Sequence, residues 1–77
     1  MNIDDIKIGD IIKDYVDDYG KVTAIDKPEN RIWAIWFRTY EDAEQDKNSF
    51  IGNSHTEFEK ITEICNKHIK NWEDELI

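Results

Sequence analysis

The stretch from Gly20 to Tyr40 reads GKVTAIDKPENRIWAIWFRTY, and how it is read decides the fold. Two runs rich in β-formers, Lys21 to Asp26 and Arg31 to Arg38, flank the tetrad Lys27-Pro28-Glu29-Asn30. Pro28 presets φ at the first corner of a turn, and Asn30 tolerates the left-handed conformation that closes one. The expectation is a β-hairpin. Side chains alternate across a strand, so Trp33 and Phe37 share one face of the second run while Trp36 takes the other. A strand apolar on both faces needs cover on both, as at the centre of a small barrel or beneath a helix.

Upstream, Asp10 to Val16 (DIIKDYV) alternates, with Ile12, Asp14 and Val16 on one side and Ile11, Lys13 and Tyr15 on the other. That pattern predicts a first strand. Gly9-Asp10 marks a turn before it, after a short lead-in from Asn2 to Lys7. Asp17-Asp18-Tyr19-Gly20 supplies the turn after it, with Gly20 free to take positive φ. Three antiparallel strands with one apolar face are about the minimum that stands alone. Downstream, Thr39 precedes a run of helix formers with Glu41 and Asp42 in the first turn, which predicts one or two helical turns behind a Thr39 cap. Asn48 to Asn53 reads as a short fourth strand ending at Gly52-Asn53.

The last third admits two readings. Phe58, Ile61, Cys65, Ile69, Trp72 and Leu76 recur at helical spacing, and Ser54 with Glu57 has the form of a capping box for a helix starting there. Equally, Glu57 to Ile61 can close a barrel as a short fifth strand. Residues 56 to 61 therefore stay open between strand and helix. A helix is expected over about residues 62 to 76, with Trp72 covering the second face of the aromatic strand.

Composition sets the outer bounds. Seventy-seven residues make a single domain, spanning 1 to 77, near the small end of what one apolar core holds without staples. Three Trp, three Tyr and three Phe supply much of that core. A single cysteine, Cys65, allows no internal disulfide and no cysteine zinc cluster. The chain has no basic leader and no long apolar run, so a cytoplasmic protein without membrane contact is the expectation. Ten Lys and Arg against eighteen Asp and Glu leave a net charge of −8. Such a field repels phosphate backbones and attracts basic protein surfaces.

The order IKIGDIIKDYVDDYGKVTAID, a turn, RIWAIWF, and later FEKI resembles the small SH3-like barrels, with a KOW-type or Tudor-type look common in short bacterial and phage reading frames. The matching positions are Gly9-Asp10, Gly20 with Val22, Ile32 to Phe37, and Phe58 to Ile61, so the resemblance covers about residues 6 to 61. It implies a mainly β (α+β) fold, an SH3-like antiparallel barrel of four or five strands, to which a C-terminal helix is added here. The basic loops with which nucleic-acid-binding members of that family hold RNA or DNA are absent.

No catalytic constellation is legible. Cys65 and His68 sit three apart, but a nucleophile and base also need an orienting group and a pocket, and with His55 they fall short of four metal ligands. None of the three glycines belongs to a phosphate loop, and no cofactor is expected. Two acidic groups stand out: Asp14, Asp17 and Asp18 with Tyr15 and Tyr19, and Glu41, Asp42, Glu44 and Asp46 with Tyr40. Carboxylates interleaved with tyrosines on the rim of a rigid barrel suit a groove lined by Lys and Arg. The expected function is a non-catalytic protein-binding module. Its partner would be a basic protein, such as a nucleic-acid-handling enzyme whose binding surface it occupies as an inhibitor. The alternative from another class is a nucleic-acid-binding module with Trp33 or Trp36 as a stacking platform for bases.

Overall fold

The computed structural model describes residues 2 to 65. Five antiparallel strands, β1 (Ile11–Asp14), β2 (Tyr19–Asp26), β3 (Arg31–Phe37), β4 (Phe50–Glu57) and β5 (Ile61–Ile64), form one sheet in the order β4-β3-β2-β1-β5. A short helix, α1 (Tyr40–Gln45), joins β3 to β4, and single 3-10 turns lie at Ile3–Asp5 and Phe58–Lys60. The β2–β3 hairpin is as read, with Asp26 opposite Arg31 and Asn30 at φ 57° closing its turn.

Register shifts curl the sheet. Thr23 is extra where β2 meets β3, Ile51 where β3 meets β4, and Thr62 where β1 meets β5. Each such bulge bends its strand and increases the local twist, and together they roll the five strands into a half-barrel.

Alternation along β3 then divides the core. Ile32, Ala34 and Trp36 join Ile6, Ile12, Val22 and Ile61 on the inner face. Phe37 joins Ile11, Ala43 and Cys65 on the other face, where α1 lies over it with Tyr19, Ile35 and Tyr40 at the margin. Trp36 is 6% exposed, and its Nε1 donates to the Ser54 carbonyl at 3.1 Å. Its ring packs against Gly20, where a Cβ would stand 2.7 and 2.8 Å from two ring carbons. Gly20 is thus required by close approach inside β2. The left-handed residue of the β1–β2 turn is Asp17, at φ 65°.

Several boundaries differ from expectation. β1 stops at Asp14, because the Asp14 side chain folds the next residues into a turn, leaving Tyr15 and Val16 exposed. β4 runs through Gly52-Asn53 to Glu57, so Ser54 and Glu57 are ladder residues opposite Ala34 and Arg31 and cap no helix. Pairing with the long β3 outweighs weak local propensity there. Within residues 56 to 61, Phe58–Lys60 is the 3-10 turn, and the closing strand comes later, at Ile61–Ile64. Thr62 to Ile64 are therefore strand where a helix was expected. The expected helix from residue 66 onward, with His68 and Trp72, lies outside the described residues.

The N-terminal lead-in is more ordered than its composition suggests. Asn2 and Asp5 cap the first 3-10 turn reciprocally, which sends Ile6 into the core at 1% exposure. Lys27 reaches Asp4 at 2.7 Å and ties this turn to the hairpin.

Candidate functional site

The first acidic group is built around one buried carboxylate. Asp14 is 8% exposed, and its Oδ1 accepts from the Val16 N–H at 3.1 Å and the Asp18 N–H at 3.0 Å. The Asp14 N–H donates to the Asp18 carbonyl, and the Asp14 carbonyl accepts from Asp17. Asp14 is therefore the organiser of the β1–β2 turn. Asp17 is exposed and lies 3.5 Å from Lys13 Nζ, while Asp18 is half-buried along the inner edge. Tyr19, then Asp17, hold the Lys13 ammonium above its ordinary value. Tyr15 is exposed, with Lys60 Nζ 5.7 Å from its ring centre.

The second group follows the same plan. The Thr39 hydroxyl caps α1 by accepting from the Asp42 N–H at 3.1 Å, as the sequence predicts. Asp42 then accepts from the Ser49 N–H at 3.1 Å, from the Ser49 hydroxyl and from the Asn48 amide, closing the loop between α1 and β4. The Ser49 hydroxyl, aided by its N–H and by Asn48, holds the Asp42 carboxyl below its ordinary value against the opposing effect of partial burial. Asp46 ends α1 in the left-handed region and pairs with Lys21 at 2.8 Å. Glu41 and Glu44 are exposed.

The two groups meet through their tyrosines. Tyr19, at the end of the first turn, stands edge-on to Tyr40, at the start of α1, with ring centres 6.4 Å apart. The tryptophans separate: Trp36 is core, whereas Trp33 is 40% exposed on the other face and leans on His55 of β4, ring centres 4.9 Å apart.

A groove that no stretch of the sequence announces lies along the open side of the half-barrel. It runs between the Asp14–Asp18 turn and β4 as two adjoining depressions of about 160 and 250 Å³ that share Asp14 and His55. The first has Trp36, Ile51 and Gly52 in its lining, and the second reaches Glu57 and Lys60. These residues come from three separate segments, so only the closed fold assembles them.

Cys65 packs beside Phe37 and Ala43, and burial, with some help from Glu63, pushes its thiol up to about 11. At neutral pH it is protonated, and thiols are weak nucleophiles in that form. Among the described residues, no group of three or more His, Cys, Asp or Glu is placed to hold a metal ion, and no helix is long and apolar enough to cross a membrane. Comparison of the chain with protein-family models, with curated proteins and with solved structures returned no match.

Proposed function

We propose that the chain is an SH3-like barrel acting as a non-catalytic protein-binding module, and that its acidic rim occupies a basic, nucleic-acid-binding surface of a partner protein. The strand order and the short closing strand after a single 3-10 turn support the fold reading. The contact between Tyr19 and Tyr40 carries the functional one. It brings the two acidic segments together, and Asp17, Glu41 and Glu44 of these segments are exposed while Asp18 is half-buried, which supports reading them as one acidic rim. The net charge of −8 steers such a rim towards cationic surfaces and away from phosphate backbones.

The test is retention of proteins from nuclease-treated bacterial lysate on the immobilised chain, compared with a variant carrying D17N, D18N, E41Q and E44Q. The expected outcome is one basic nucleic-acid-handling protein, retained at moderate salt and lost both at high salt and on the variant. Equal retention on the variant would sink the reading. Trp33 keeps the nucleic-acid alternative measurable: quenching of its fluorescence by oligonucleotide at about 50 mM salt, with nothing retained from lysate, would favour direct binding instead.

A further inference from the structure

β4 is the end strand of the sheet, and among the described residues its second edge pairs with nothing. It is eight residues long and exposed along most of its length. A free edge presents alternate backbone N–H and C=O groups as a template for another strand, and native proteins commonly cover such an edge or blunt it with lysine or proline. Residues 50 to 57, FIGNSHTE, contain neither.

The edge also forms one wall of the groove on the open side of the half-barrel. The opposite wall is the Asp14–Asp18 turn, held rigid by the Asp14 carboxylate. Asp14, Asp18 and Glu57 line the groove against the single cation Lys60. From Ile51 to Glu57 it runs for about 20 Å, the length of a six- or seven-residue extended segment.

We infer that this seam is a strand-addition site. An extended, basic segment of the partner lies along β4, pairs with its free backbone edge and sets Lys or Arg side chains against Asp18 and Glu57. Main-chain pairing supplies affinity and the acidic wall supplies the sign of charge. The inference rests on the protein-binding reading and specifies how that binding is made.

The probe is an acetylated, amidated octapeptide of alternating lysine and threonine, read by amide hydrogen exchange of the full chain at low salt. Alternate amides of β4 between Ile51 and Glu57, those not bonded to β3, should exchange quickly in the free protein and slow on adding peptide. The same peptide N-methylated at alternate residues keeps its charge but loses the ladder. It should bind at least about tenfold more weakly, as the loss of two or more main-chain hydrogen bonds implies. D18N with E57Q should weaken the unmethylated peptide about threefold, with the β4 ladder to β3 unchanged. Equal affinity of the methylated peptide overturns the inference. So does protection of the outward β4 amides before peptide is added, whether concentration-dependent, from a second copy, or not, from the chain's own residues 66 to 77. Peptide-induced changes confined to Glu41 and Glu44 overturn the seam and leave the acidic-rim reading standing. If neither peptide nor any basic protein binds, both fail together.

Discussion

The β1–β2 turn and the segment formed by α1 and its connection to β4 are both acidic, yet each divides its carboxylates in the same way. One acid in each is taken up internally: Asp14 by the backbone N–H groups of Val16 and Asp18, Asp42 by the Ser49 N–H and hydroxyl and the Asn48 side-chain amide. Of the others, Asp17, Glu41, Glu44 and Asp46 stand outward, and Asp18 is half-buried beside the groove. The segments differ in how deeply the internal acid is set, since Asp14 is buried against the groove and Asp42 only half-buried. Acidity in a loop of this kind thus has two separable uses, shaping the loop and charging its surface, and composition alone does not tell them apart.

Substitutions should rank the two uses. Asp14→Leu leaves two N–H groups without their acceptor and should cost about 1–3 kcal/mol by urea denaturation, while Asp14→Asn, which keeps an acceptor oxygen, should cost clearly less. If both cost the same, charge and not hydrogen bonding is what the turn uses.

Asp42→Asn should destabilise less than Asp14→Leu and should show itself in pH dependence. The folded carboxyl sits below its ordinary value, so its contribution is complete above that value, 3.8, and is lost as pH falls through the depressed folded one. The gap in melting temperature between wild type and Asp42→Asn should therefore be open at pH 7 and close in strong acid. A gap constant with pH would show that Asp42 acts through packing alone.

Lys21→Ala removes the partner of Asp46 at the end of α1, and for an exposed pair the expected loss is about 0.5 kcal/mol. Smallest of all should be D17N, D18N, E41Q and E44Q, each within about 0.5 kcal/mol of wild type in stability. Their effect belongs in partner binding. A large loss of stability from any of them would erase the distinction between the shaping and the displayed acids.

The sequence made the local devices legible. Lys27-Pro28-Glu29-Asn30 names its own turn, Thr39 its own cap, and the alternation of Trp33, Trp36 and Phe37 assigns their faces correctly. What escaped was set by pairing between distant segments. β4 extends through Gly52-Asn53 because β3 offers a partner to each residue from Gly52 to Glu57, and no short window of sequence contains that offer. Phe58 and Ile61 sit at helical spacing by a different route, a 3-10 turn running straight into a strand, both packing on one core. The acidic residues of the candidate site were visible, but their division between turn-shaping and display depends on burial. The groove beside them needs β4, the β1–β2 turn and Lys60 to be brought together.

The contact between Gly20 and Trp36 has a consequence for how this chain can vary over time. A side chain at position 20 has no room while an indole lies on it, and a smaller ring at position 36 would open a void unless position 20 grew to meet it. The two positions form one heritable unit. Descendants of this sequence should change both together or neither, and a lineage that has made the double exchange would have to pass through a weakened intermediate to return.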